Sequence, residues 1–417
     1  MKKYLIYITL AVFCMVSLFG CTGGALSGTP SVPQDSQSAE QDPPGGTDEN
    51  GAGESDGELG FTVLPATEED KPEEPPAEAD PAAEKIKALL SEMTLEERVA
   101  QMFFVGCPAS RAADVLSEYA LGGYILFASN LSGLTADDVR SMLDGFQENA
   151  KIPLLIGVDE EGGTVVRVSS NPNLREARFR SPRDLFAEGG MELVVSDAQE
   201  KSQLLLSLGI NVNLAPVCDI SANEDDFIYD RSFGGDAAAV SDYVSQVAAA
   251  MREAGIGSVL KHFPGYGNCA DTHEGIVVDH RAAEDFRVSD LLPFQAGIQH
   301  GAGAVLVCHN IVEAFDDALP ASLSPAVHDL LRETLGDNVV AMTDDLDMEG
   351  ITDYTDGASA AVQAVLAGND MLLTSDYKTG IRAVLDAVEA GTVTEGRINE
   401  SVARILNWKI ELGLIEV

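Results

Sequence analysis

Eight short apolar runs, rich in Val, Ile and Leu, recur along the second part of the chain at 101–106, 123–127, 153–158, 210–216, 258–262, 302–308, 339–343 and 370–375. Between them lie patterns with apolar residues three and four apart, as at 135–151, 191–208, 237–254 and 324–335, which is the spacing of one helix face. Strand and helix therefore alternate. The runs are continuously apolar rather than alternating, which suits strands covered on both faces. Eight such units fit a (β/α)8 TIM-type barrel better than an open doubly wound sheet, the alternative that pattern alone leaves.

The segment ahead of this region has another character. Lys2 and Lys3 precede an apolar stretch over 4–19, which reads as a secretory signal peptide over 1–20. Leu18-Phe19-Gly20-Cys21 resembles a bacterial lipobox, so Cys21 is expected to become the lipidated N-terminus; an ordinary signal with an incidental cysteine is the alternative. Residues 21–84 are rich in Gly, Ser and Pro, and 22–84 hold sixteen acids against one lysine. Such a segment buries too little apolar surface to offset its ordering entropy, so a disordered acidic tether is expected there and a barrel domain over 85–417. The expected address is extracytoplasmic, lipid-anchored to the cell membrane through Cys21.

Charge narrows the partners. The signal carries +2 and the tether −15, which leaves −29 of the total −42 on residues 85–417. Such a surface repels phosphate backbones, so no nucleic acid is expected as a partner. Past the signal no apolar run reaches the roughly 20 residues that span a bilayer. Cys107, Cys218, Cys269 and Cys308 follow no zinc-finger spacing and make no disulfide framework; buried free thiols are expected, with paired bridges as the alternative.

In a barrel, chemistry gathers where strands end and βα loops begin. The polar residues there are Asp159-Glu160-Glu161-Gly162-Gly163, Asp219, Lys261-His262, His309-Asn310 and Asp344-Asp345, with Asp271 and His273 in the loop after the fifth run. Asp271 and His273 are two apart, a spacing that lets an extended chain pair a carboxylate with an imidazole. Carboxylates and histidines at one mouth suit glycoside cleavage, which needs a nucleophilic carboxylate and a proton donor. A zinc hydrolase using His273, Cys269 and His262 is a weaker alternative, because Cys and His four apart is not a recognised ligand spacing.

Five motifs in order resemble glycoside hydrolase family 3: Met93-Thr94-Leu95-Glu96-Glu97 with Gln101-Met102-Phe103, Gly157-Val158-Asp159-Glu160-Glu161-Gly162-Gly163, Asp230-Arg231-Ser232-Phe233-Gly234, Lys261-His262-Phe263-Pro264-Gly265 and Asp344-Asp345-Leu346-Asp347-Met348. Asp271-Thr272-His273 resembles the Asp-Ser-His loop of the β-N-acetylglucosaminidase branch. The close of the chain at Val417 points the same way, since family β-glucosidases usually take their acid from a second domain. The resemblance implies Asp344 as nucleophile, His273 as acid/base oriented by Asp271, and Asp159, Arg231, Lys261, His262 and Arg167 as sugar-binding residues. For each there is a plainer role: Asp344 a solvated carboxylate or helix cap, His273 a surface histidine, Lys261 and His262 strand-end groups satisfied by Asp219.

The implied activity is exo-acting, retaining hydrolysis of terminal β-linked N-acetylglucosamine from muropeptide or chitin fragments, by a monomer with no cofactor and no metal. A β-glucosidase or glycoside phosphorylase of the same family, and a non-catalytic sugar-binding lipoprotein, are the alternatives. Three departures from the branch's pattern bear on them: Tyr266 replaces the familiar histidine, the stretch 267–271 is one residue short, and Thr164 stands where arginine is common.

Overall fold

The computed structural model describes residues 80–417, so the expectations for 1–20, for Cys21 and for most of the tether lie outside the described residues. Eight parallel strands form one sheet: β1 (Phe103–Gly106), β2 (Gly123–Leu126), β3 (Leu155–Val158), β4 (Val212–Asn213), β5 (Gly257–Phe263), β6 (Ala304–Val307), β7 (Val340–Thr343) and β8 (Leu372–Thr374). Each of the eight apolar runs supplies one strand. β1 pairs with both β2 and β8, and a parallel bridge from Met342 to Met371 joins β7 to the start of β8. The circle is thereby closed as a (β/α)8 barrel.

Helices α1 (Pro81–Glu92) and α2 (Leu95–Gln101) precede β1. The helices that follow the strands are α3 (Ala112–Glu118), α4 (Ala136–Asn149), α5 (Pro182–Ser207), α6 (Ala237–Ala254), α7 (Leu291–Gln299), α8 (Pro325–Leu335), α9 (Gly357–Ala367) and α10 (Tyr377–Glu389), with α11 (Glu395–Glu411) closing the chain. Side-chain caps set many of their starts, because the first turn leaves N–H groups without partners. Thr94 and Glu97 make a reciprocal capping box, and Ser181, Asp236, Ser324, Asp356 and Thr394 each accept a first-turn N–H.

Two boundaries differ from the sequence reading. α1 begins at Pro81, four residues ahead of position 85, because Asp80 accepts the Ala82 N–H and Pro81 suits the first helical position. α5 begins at Pro182 rather than 191 and breaks at Gly190, whose φ of 66° interrupts the helix. The part after the break is the one its periodicity reveals.

Side chains alternate across each strand, so one in two points into the barrel. The ring of Phe104 fills the interior beside Gly157, where a Cβ would lie 2.6 Å from the ring. Above it Ile125, Leu214, Leu306 and Leu373, from the even-numbered strands and their ends, form a layer, the arrangement expected when alternate strands fill a barrel. At the opposite end, buried Asp370 holds Arg332 at 2.8 Å and Arg404 at 3.0 Å, tying α8 and α11 to β8. Lys409 of α11 is fully buried and donates to Gln101 Oε1 at 2.8 Å.

Candidate active site

The leucine and isoleucine layer is the floor of a cavity of about 500 Å³ at the C-terminal end of the strands. Its walls come from the strand ends: Asp159, Glu161 and Arg167 after β3, Arg231 after β4, Lys261, His262, Tyr266 and His273 on or after β5, and Asp344, Asp345 and Asp347 after β7. Phe127 and Met348 add apolar wall. A floor of packed side chains makes this a blind pocket.

One side carries interlocked charges. Lys261 Nζ lies 2.7 Å from Asp159 Oδ1 and 2.6 Å from Glu161 Oε1. Arg231 grips Glu161 with two bonds, at 3.0 and 2.8 Å. Burial disfavours charge on Glu161, but Arg231 and Lys261 outweigh it and hold the carboxyl well below its usual range. For Lys261 burial likewise opposes charge, and Asp159 and Glu161 more than reverse it. Arg167 is 3.7 Å from Asp159 Oδ2, and its Nε is buried without a partner. Its backbone is set by Glu160, a fully buried carboxylate that accepts the N–H groups of Arg167 and Val168 at 2.8 and 2.6 Å.

His262 has both ring nitrogens engaged. Arg231 Nη2 lies 3.0 Å from Nε2, and Asp219 Oδ2 lies 2.7 Å from Nδ1. A guanidinium only donates, so Nε2 accepts and the proton sits on Nδ1, directed at Asp219. His309 is fixed in the opposite tautomer: its Nε2–H donates to the Asp345 carbonyl at 2.9 Å, and Nδ1 is 2.8 Å from the Ser322 hydroxyl. Burial lowers the His309 pKa, against the opposing pull of the Asp344 carboxylate.

The two carboxylates after β7 behave differently. Burial opposes ionisation of Asp344, but His309, His262, the Asp345 N–H and Lys261 together bring its pKa below the ordinary value. Asp345 is pushed up to about 7, chiefly by burial, with Asp347 and Asp344 adding repulsion. One strand end thus presents an ionised carboxylate beside one that titrates near neutrality.

Past β5 the chain turns through Thr272–Glu274, where Asp271 accepts the His273 N–H at 2.9 Å and faces Nδ1 at 2.7 Å. A carboxylate only accepts, so the pair leaves His273 Nε2 free to take or give a proton. That nitrogen has no hydrogen-bond partner among the described residues, and the side chain is 60% exposed while lining the cavity.

The structure therefore gathers Asp159, Arg167, Arg231, Lys261, His262, His273 and Asp344 around one cavity, with Asp271 behind His273. His262 is indeed satisfied by Asp219, whereas Lys261 is satisfied by Asp159 and Glu161. Thr164 is exposed and outside the cavity wall. Glu161 and Asp345, which the sequence places at the barrel mouth without a role, and Tyr266, which it marks as a departure from the branch's pattern, also line the cavity. The signal for Glu161 was present, since it follows Asp159 at the two-residue period of an inward-facing strand end. Cys107, Cys218, Cys269 and Cys308 are buried free thiols. Among the described residues no three His, Cys, Asp or Glu side chains are grouped to hold a metal, and no helix is long and apolar enough to cross a membrane.

Fold and site together place the chain among the (β/α)8 glycoside hydrolases. Residues 94–408 match the glycosyl hydrolase family 3 N terminal domain, and the chain belongs to that family. Beta-hexosaminidase LpqI of Mycobacterium tuberculosis is 34% identical over 344 residues, covering 79% of this chain and 85% of that protein. Among solved structures, a glycoside hydrolase family 3 β-N-acetylglucosaminidase from Paenibacillus sp. str. FPU-7 superposes with a TM-score of 0.72 at 33% identity, over 78% of this chain and 64% of that one. The chain thus spans just under two thirds of the Paenibacillus enzyme. M tuberculosis LpqI superposes with a TM-score of 0.70 at 30% identity, over 77% and 95% of the two chains.

Proposed function

We propose that the protein is an exo-acting, retaining β-N-acetylhexosaminidase that removes terminal β-linked N-acetylglucosamine from muropeptide or chitin fragments. The observation that carries this reading is the pairing, in one blind pocket, of an ionised Asp344 with a His273 whose Nδ1 is held by Asp271 and whose Nε2 is free. The blind floor suits a chain end rather than a threaded polymer. The names of the similar proteins supply the sugar.

In the first step Asp344 attacks the anomeric carbon as the glycosidic C–O bond breaks, and imidazolium His273 gives its Nε2 proton to the leaving oxygen. In the second step neutral His273 takes a proton from water as that water attacks the same carbon, which releases the Asp344 carboxylate and restores the imidazolium. Asp159, Arg231, Lys261 and Arg167 hold the sugar hydroxyls; His262, with both ring nitrogens engaged, lines the site and orients Arg231, and Glu161 holds Arg231 and Lys261 in place. Signal cleavage and lipidation at Cys21 would put this activity on the outer face of a membrane.

The test uses the full chain with aryl β-N-acetylglucosaminide and aryl β-glucoside. Hydrolysis of the first, with the β-anomer as first product by NMR, is expected; strong turnover of the glucoside with none of the N-acetylglucosaminide overturns the sugar assignment.

A further inference from the structure

The loop that carries Asp271 and His273 is fastened from beneath by a residue outside the acid/base pair. Tyr266 is 1% exposed, and its N–H donates to Asp219 Oδ1 at 2.8 Å. Its ring meets His262 edge-on, with centroids 5.2 Å apart. Its hydroxyl lies 2.5 Å from Thr272 Oγ1. Burial raises the phenol's pKa well above its ordinary value, so the hydroxyl stays neutral and able to donate. Thr272 is fully buried, whereas His273 next to it is exposed: the turn sinks one side chain as an anchor and raises the other over the cavity.

The same turn is seated from another side. In the short helix Glu349–Thr352, a Cβ on Gly350 would lie 3.0 Å from the Thr272 carbonyl oxygen and 3.2 Å from that of Gly275. The base of the loop is closed by Arg281, which donates to the Gly265 carbonyl at 2.9 Å while paired with Asp279 and Asp290.

We propose that Tyr266 is a positioning residue for proton transfer: its hydrogen bond to Thr272, with the turn seated on Gly350, sets where His273 Nε2 stands relative to the glycosidic oxygen. Through its backbone N–H on Asp219 and its ring edge on His262, the same residue couples that position to the sugar-binding side of the pocket. The inference rests on the acid/base reading of His273. Its consequence is specific, because misplacing a proton donor hurts leaving groups that need a proton and spares those that do not.

Tyr266→Phe and Thr272→Val each remove one side of the bond with little change of shape. In the full chain, each is expected to lower kcat/KM about tenfold for an N-acetylglucosamine disaccharide and less than about twofold for the dinitrophenyl glycoside. The double variant should be no worse than either single one, since both break one interaction. Equal slowing of the two substrates, no slowing of either, or additive losses overturns the proposal. If Tyr266→Phe fails to fold, Thr272→Val decides on the same two substrates. His273→Ala is the reference: if it lacks the leaving-group dependence, the acid/base reading falls and this proposal with it; if it has the dependence and the two variants lack it, only the positioning role falls.

Discussion

Asp344 and Asp345 are adjacent in sequence, yet one is held ionised and the other titrates at about 7. The difference follows from their neighbours: Asp344 has His309, His262 and Lys261 near it, whereas Asp345 has burial and the negative charges of Asp347 and Asp344. Asp344→Ala should reduce turnover to background, because no glycosyl-enzyme can form without the nucleophile. A fluorinated slow substrate should label Asp344, read by mass spectrometry; an adduct on Asp345 would reverse the assignment. Asp345 has a raised folded-state pKa, so its contribution to stability is present below about pH 4, its ordinary range, and is lost as pH rises through about 7. Asp345→Asn, which cannot ionise, should therefore melt a few degrees higher than the parent at pH 8 and with almost no difference near pH 4. A Tm difference that is constant with pH would show that Asp345 is not strained by its charge.

At the scale of elements, the strands were legible because burial on both faces leaves uninterrupted apolar runs, and even β4, only two residues long, lies inside such a run. The helix starts at Thr94, Thr135 and Ser324 follow from side chains that cap. What sequence did not disclose was the start of α1, hidden because Asp80-Pro81 reads equally as the end of a Pro- and acid-rich tether. The first turns of α5 were hidden by the glycine pair at 189–190. In the site, charged residues at strand ends could be named, but their pairing could not: that Glu161 rather than Asp219 holds Lys261 depends on barrel curvature. Lys409 is a similar case, a lysine inside an amphipathic pattern that turns out fully buried against Gln101. Burial pushes its pKa down to about 7. The unfolded chain binds this proton up to about pH 10.4 and the folded chain only to about 7, so stability from this site rises with pH across that window. Lys409→Met should accordingly raise Tm relative to the parent more at pH 7 than at pH 10. A gain that does not shrink toward pH 10 would mean that the ammonium is solvated in the folded protein.

For the whole molecule, the question is how much of the N-terminal region the barrel requires. Residues 22–84 are rich in Pro, Gly and acids, with no helical or strand periodicity until the sequence approaches Asp80, and among the described residues those that line the cavity all lie between Ile125 and Leu373. The chain from position 80 onward should therefore retain the kcat/KM of the full protein; on the proposal that Cys21 is lipidated, the full protein should sediment with membranes and the shortened one should not. Starting five residues later is a different matter. It removes Asp80, whose side chain accepts the Ala82 N–H at 3.0 Å, together with Pro81 and most of the first turn of α1. α1 lies on α11 and packs Ile86, Leu89 and Leu90 against the core, so fraying propagates into the helix that carries Lys409 and Trp408. Loss of a cap costs about 1 kcal/mol, which in a domain of this size corresponds to a Tm lower by roughly 2 °C. Calorimetry on the chains beginning at 80 and at 85 should show that fall without any change in kcat/KM, since α1 is remote from the strand ends that build the pocket. Equal melting temperatures would mean that α1 is held by its packing alone, and a fall in kcat/KM on removing residues 1–79 would mean that the acidic segment reaches the active site.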